Sequence, residues 1–332
     1  MNEPKLVRLE YLDIAKGIGI ILVVLYHVSK EDRLLCYFLA TFFMPMFFII
    51  SGMCYNEAHY PTFLTFLKKK IKRLLIPLIV FSAINIALSY VFHLEFYTIK
   101  FLVKGFPGAQ WFVFCLFCVE LTYYWIERLI SDKVYKAFAI LVSLAVAGLL
   151  QSNDISIPYK LYVIPLSVFF YGLGHQIKSF ANVKLANVKM GGGIGVILLI
   201  LPLISAILVH DKNMFHNNII LHPEVYHLLL AIVGSFAILF ISTSKRIFGN
   251  EKLKKTIIYI GQNTLIILLL HQLLIFISGK YIFPLLHSHI IYKIIEQCFL
   301  WGMMVGAIYI INCYLPFIVG KNFQNKNRSE QK

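Results

Sequence analysis

Residues 8–28 read RLEYLDIAKGIGIILVVLYHV, and this stretch decides the class of fold. After a basic lead and Asp13, Ile14 to Val28 is apolar enough to lie in a bilayer, yet it contains Lys16 and His27. A lysine near a bilayer centre costs on the order of 2.5–3.5 kcal/mol on insertion scales, so a polar residue there has a partner or a task. The two are about three helical turns apart, on one face and roughly 16 Å apart along the axis. Two readings stand for each. Lys16 either snorkels from the inner end of the span to the headgroups or serves a site. His27 either caps the outer end in solvent or transfers protons, the task its side chain suits near neutral pH.

The whole chain has the same character. Of 332 residues 59% are hydrophobic and 14% charged, and the mean hydropathy is +0.76. That excludes a soluble domain of this size and describes an all-α polytopic membrane protein. Lys plus Arg is 31 against 16 Asp plus Glu, a formal charge of +15. In a soluble protein that would suggest nucleic acid; in a membrane protein it asks where the charges lie. The cysteines, Cys36, Cys54, Cys115, Cys118, Cys298 and Cys313, fall in or beside apolar runs without paired extracellular spacing and read as buried thiols, the Cys115–Cys118 CxxC being two small residues on one helix face. A cleaved signal peptide is not expected, because Asp13 and Lys16 interrupt the apolar region and no small-residue cleavage site follows His27.

Apolar runs of sufficient length predict ten transmembrane helices, near 12–28, 35–55, 74–92, 110–127, 136–151, 160–177, 191–209, 226–244, 256–278 and 294–316. The positive-inside rule orients them. Each connection expected inside carries at least three basic residues, led by Lys68, Lys69, Lys70, Lys72 and Arg73 and by Lys245, Arg246, Lys252, Lys254 and Lys255. No connection expected outside carries more than two. Both termini are therefore expected in the cytoplasm. The charge is topology, and no nucleic acid is expected as a partner. Residues 1–320 read as one integral-membrane domain and 321–332 as a short polar cytoplasmic tail, with no appended soluble domain.

The run LDIAKGIGIILVVLYH, with Asp13, Lys16, Gly17 and His27, resembles the first helix of acyltransferase family 3, the integral-membrane O-acyltransferases. That family pattern is a basic residue, ten intervening residues and a histidine. Ser51 and Gly52, closing FFMPMFFIISGMCY, resemble the family's aromatic segment ending in Ser-Gly; close helix packing is the alternative. KKKIKRLLIP before and at Pro77 is also similar to the family, either as a basic anchor or as a receiver of donor phosphates through Arg73 and Lys70. Gln110, Trp111 and Phe112 resemble its Trp-Phe helix entry, with Trp111 most simply an interfacial aromatic. Glu120, inside a span, needs a partner such as Lys16, a histidine or a water. In IGQNTLIILLLHQ, Thr264 and His271 share a face, and the family often shows Gly-Lys-Asn-Ser and a histidine here; Gln262, Asn263 and Thr264 keep the polarity without the charge. On a 256–278 span His271 falls in the outer half, a depth comparable to His27.

The resemblance implies transfer of an acetyl group from cytoplasmic acetyl-CoA to a hydroxyl of a surface polysaccharide or its lipid-linked sugar precursor, as in fucose 4-O-acetylase-like enzymes. His27 would be the base, with Lys16, Glu120 and His271 in the catalytic set. Arg73, Lys70 and Ser51 would hold the donor, and Asp13, Trp111, Asn263 and Thr264 the acceptor. A covalent acyl relay stays open. Lys16 stands where many members have arginine, which weakens bidentate phosphate binding there. Acetyl-CoA is a substrate, with no bound cofactor expected. His210, His216, His222, His227, His287 and His289 match no zinc spacing and read as solvated loop histidines, so no metal is expected. The expected location is the bacterial inner membrane; a homo-oligomer is compatible with the sequence and not required by it. Alternatives are an O-succinyltransferase of an amino-sugar polymer, or a flippase for a lipid-linked sugar. No inverted repeat favours the flippase, and short basic-poor outer loops disfavour a polymerase.

Overall fold

A computed structural model of the chain describes residues 9–99, 105–153, 155, 157–184, 191–209, 225–282 and 289–321. Every regular element among them is helical. Eight helical stretches among the described residues are long and apolar enough to cross a membrane: Glu10–Val28, Arg33–Met53, Phe63–Val91, Lys133–Ser152, Gly191–Leu208, Val225–Ser242, Thr264–Tyr281 and Ile294–Tyr314. At the other two expected positions Gln110–Leu129 and Ile164–Lys184 are helical but fall outside this set. Their tyrosines and tryptophans, and polar residues such as Glu120, Glu127, His175 and Lys178, dilute the apolar run.

Three predicted segments differ in detail, each for a local reason. The second span is two helices, α2 (Arg33–Ala40) and α3 (Phe43–Met53). Pro45 has no N–H for the Thr41 carbonyl, and the chain bends there. The basic stretch before Pro77 is no loop but part of a helix: α4 (Phe63–Lys70) continues through a π-turn, Ile71–Leu75, into α5 (Ile76–Val91). An α-turn would drive the Pro77 ring into the Arg73 carbonyl, and the wider turn accommodates it. The ninth span begins at Thr264, not near 256. Asn263 (φ −118°, ψ 18°) separates amphipathic α11 (Glu251–Gln262) from α12 (Thr264–Tyr281), and its side-chain amide donates to the Tyr259 carbonyl at 2.8 Å.

The chain forms two compact units. The first comprises Met1–Tyr55, Thr122–Ser156 and Tyr162–Thr264. It contains α1 (Glu10–Val28), α2, α3, the end of α6 (Gln110–Leu129), α7 (Lys133–Ser152), α8 (Ile164–Lys184), α9 (Gly191–Val209), α10 (Val225–Ser242) and α11. Here α3 packs on α8, α10 on α9 and α3, and α1 on α11 and α10. Tyr37, Phe42, Phe43, Phe48, Tyr123 and Tyr171 fill its interior. The span Arg33–Met53 is 78% buried and Lys133–Ser152 only 11%, so the first is core and the second presents its apolar surface outward. The second unit, Asn56–Leu121, Ile157–Leu161 and Leu265–Lys332, holds α4, α5, the start of α6, α12 and α13 (His289–Tyr314). A 3-10 turn, Pro316–Val319, packs against α5 and the π-turn.

All six cysteines are free, but the reading of them as buried holds for Cys36 and Cys115 alone; Cys54, Cys298 and Cys313 are exposed and Cys118 is intermediate. An apolar run does not reveal which face turns to lipid.

Candidate active site

On α1 the two ionisable groups keep their three-turn spacing, because the helix is continuous from Glu10 to Val28. Gly17 seats this helix: a Cβ there would lie 2.3 Å from the Ile257 carbonyl oxygen, and one on Gly261 would lie 1.9 Å from the Asp13 carbonyl oxygen. Backbone contact with α11 thus fixes the turn that carries Asp13 and Lys16. Lys16 Nζ is 3.9 Å from Asp13 Oδ1 and 3.6 Å from Cys54 Sγ. Asp13 is buried while the Lys16 side chain keeps 27% of its exposure. At 3.9 Å the carboxylate attracts the ammonium without hydrogen-bonding it, which leaves donors for an incoming anion. His27 occupies the last turn, half-buried, with its ring edge-on to Tyr26 at 5.0 Å, and Tyr26 in turn contacts Phe43.

Glu120 has a partner the sequence did not suggest. Its Oε1 accepts from Lys70 Nζ at 2.7 Å, both side chains being nearly buried, with the Tyr60 and Phe66 rings 5.2 and 5.7 Å from the ammonium. Lys70 is therefore neutralised in place. Arg73, three residues on within the π-turn, is exposed and makes no ion pair or hydrogen bond among the described residues.

Gly52 packs: a Cβ on it would lie 1.9 Å from the Tyr171 carbonyl oxygen, and Ser51 beside it is half-buried. Trp111 is buried with Lys160 Nζ 4.9 Å above its ring, so its environment is a cation–π contact inside the protein. Asn263 is buried at the helix break and Thr264 opens α12. His271 is fully buried. Its Nδ1 is 3.0 and 2.9 Å from the Ile267 and Leu268 carbonyls, which places the proton on Nδ1 and the basic lone pair on Nε2. Because α12 starts at Thr264, His271 lies at the middle of its helix, not in the outer half, whereas His27 lies at the end of its own. Asp13, Lys16, His27, Ser51, Asn263 and Thr264 belong to the first unit, and Lys70, Arg73, Trp111, Glu120 and His271 to the second. Of the histidines read as loop residues, His210, His216, His222 and His287 lie outside the described residues; His227 is buried on α10 against Tyr226, because the helix has already begun at Val225.

One constellation escaped the sequence reading. In the first unit Glu127 Oε1 accepts from Tyr123 at 3.0 Å and lies 3.2 Å from His175 Nδ1, while its Oε2 takes Lys136 Nζ at 2.5 Å. The Tyr123 hydroxyl is also 2.9 Å from His175 Nδ1, and the Tyr55 ring is edge-on to the imidazole at 5.2 Å. A carboxylate on Nδ1 orients the ring and leaves Nε2 as the basic nitrogen, with the side chain 21% exposed. Its members come from three helices and look, one by one, like polar ends of apolar runs. A buried Glu296, held at 3.0 Å by Ser278 in the second unit, was missed for the same reason.

Residues 9–319 match the family model described as acyltransferase domain. No curated protein and no solved structure matches the chain.

Proposed function

We propose, from the premise that this chain belongs to the acyltransferase domain family over residues 9–319, that it moves an acetyl group from acetyl-CoA to a hydroxyl of a surface polysaccharide or its lipid-linked precursor. The observation that carries this reading is α1: one continuous helix bearing an incompletely neutralised lysine and, three turns on, a histidine. That separation, roughly 16 Å, is on the scale of an extended pantetheine arm. Lys16 receives donor phosphate at one end, and the thioester reaches toward His27 at the other. His27 takes the proton of the acceptor hydroxyl as its oxygen attacks the thioester carbonyl. The C–O bond forms, the C–S bond breaks, and the departing thiolate is protonated. General base catalysis of this kind contributes roughly 10²–10⁴-fold. Asp13 orients Lys16. Lys70 supports the fold through Glu120 instead of holding the donor. We place ten spans in a bacterial cytoplasmic membrane with both termini inside, the basic connections facing the donor pool.

The test is the O-acetyl content of surface glycans, read as base-labile acetate and by proton NMR, in cells making the wild-type chain or His27→Ala at matched membrane levels. Loss of acetate with His27→Ala is the expected result. Release of succinate in place of acetate would reassign the donor. Unchanged ester content after deletion of the whole chain would end the transferase reading and favour a flippase.

A further inference from the structure

In the second unit a neutral polar stripe lies buried between apolar helices. Ser82, Asn85 and Ser89 recur at i, i+3 and i+7 on α5, so they share one face. Gln110 opens α6 beside them. All four are at most 3% exposed. Ser82 Oγ bonds Gln110 Oε1 at 3.1 Å, and Asn85 Nδ2 donates to the Leu269 carbonyl at 2.8 Å. Three polar atoms remain with no partner among the described residues: Asn85 Oδ1, Ser89 Oγ and Gln110 Nε2. The Asn85 amide is oriented by its carbonyl partner, so its orphan is an acceptor. Turning the Gln110 amide over only exchanges which end is left.

A second, independent feature is the backbone beside the stripe. From Gly105 to Ala109 the chain is not helical, with φ of +99° at Gly105 and +57° at Gly108. Ala109 N–H donates to Gln272 Oε1 at 2.8 Å, and a Cβ on Gly108 would lie 1.6 Å from that oxygen. Gln272 is at the centre of α12, and Ser82, which Gln110 meets, is near the centre of α5. Non-helical chain therefore reaches the middle of two apolar helices. At membrane depth such backbone is tolerated where it is enclosed by protein or lines a polar site. Dry orphan atoms there would be costly, since buried polar groups are almost always satisfied by protein or ordered water.

We propose that this stripe is a binding site for neutral hydroxyl oxygens, filled by water or by hydroxyls of the sugar acceptor. Gln110 Nε2 donates to the bound oxygen, Asn85 Oδ1 accepts its hydrogen, and Ser89 Oγ does either. The stripe contains no charged side chain, so it selects an uncharged O–H group. The sugar source rests on the acyltransferase reading above; the water source does not.

The test uses the full chain in lipid nanodiscs, as wild type, Ser89→Ala and Gln110→Leu. Radiolytic hydroxyl-radical labelling reports oxygen bound beside Phe81 and Leu269, and thermal unfolding reports whether the orphan atoms are satisfied. Transfer of labelled acetyl is titrated with lipid-linked glycan extracted from the producing cells. Bound water gives labelling at those residues that falls severalfold in Gln110→Leu, with the acceptor KM unchanged. Binding of sugar raises the acceptor KM at least tenfold in both variants while the acetyl-CoA KM stays constant. Absence of labelling, an unchanged acceptor KM and a higher Tm for Ser89→Ala would overturn the proposal, because removing a dry orphan hydroxyl relieves its cost. A wild-type chain that transfers no acetyl defeats the acetyl-donor reading alone, and labelling still decides the site.

Discussion

Lys16 lies in an apolar helix and Lys70 in a basic run, and the sequence offers both to the acyl donor, but their carboxylate partners stand at different distances. Lys70 is locked on Glu120 at 2.7 Å beneath two aromatic rings. Lys16 is 3.9 Å from Asp13, has the soft Cys54 thiol as its hydrogen-bond acceptor and remains partly exposed. A buried pair with good geometry is costly to break from one side, and each of its charges cancels the other. A loose, partly exposed pair adds little to stability and leaves a cation for a ligand. The distinction separates a lysine tied into the fold from one with donors left over, and neither the basic run around Lys70 nor the apolar run around Lys16 announces it.

The largest expected effect tests the locked pair. Lys70→Met leaves Glu120 buried and unpaired and is expected to cost about 3–5 kcal/mol, read as a lower unfolding temperature in nanodiscs. Adding Glu120→Leu to it should recover most of that loss. If Lys70→Met alone were neutral in stability and raised the acetyl-CoA KM, the roles of the two lysines would have to be exchanged.

Gly17→Ala comes next, and sharpens the contrast from the helix side. Its methyl meets the Ile257 carbonyl, so α1 must shift from α11, at roughly 1–3 kcal/mol for overpacking. The Lys16 turn moves with it, and donor affinity should fall together with stability. Lys16→Met, by contrast, should leave the unfolding temperature nearly unchanged and raise the acetyl-CoA KM by about tenfold, on the order of 1.4 kcal/mol of lost binding; Lys16→Arg should retain the function. Equal losses of stability for Lys16→Met and Lys70→Met would erase the comparison.

The smallest effect belongs to an exposed pair. Lys254 Nζ lies 2.6 Å from Glu10 Oε2, and this hydrogen bond raises the ammonium pKa above its ordinary value. Whatever the pair contributes is present at neutral pH and disappears only as pH climbs through that raised value. Because the pair is solvated, Lys254→Ala should shift the unfolding temperature immeasurably between pH 6 and about 9.

Much of the membrane architecture is legible in the sequence because the bilayer imposes a length and a polarity that a chain cannot disguise. Helices occur at all ten expected positions, and the breaks at Thr41–Phe42 and Asn263 and the π-turn at Ile71–Leu75 follow from prolines and polar residues whose local effect a hydropathy count does not register. What hydropathy does not contain is direction around a helix axis. Lipid and protein interior are equally apolar, so exposed Cys298 and buried Cys115 look alike in the sequence.

A helical membrane chain of the acyltransferase type is readable from the residues alone, and so are Lys16 and His27, because a charge and an imidazole within one apolar run have few innocent explanations. Which carboxylate each cation meets came from the packing of the helices. It paired Glu120 with Lys70, gathered Tyr123, Glu127, Lys136 and His175, and left Asn85, Ser89 and Gln110 with atoms that have no partner among the described residues. These outcomes depend on how helices distant in sequence rotate and pack, and the energy of a polar group in apolar surroundings is set by the neighbour within about 3 Å, whatever residues flank it in the chain.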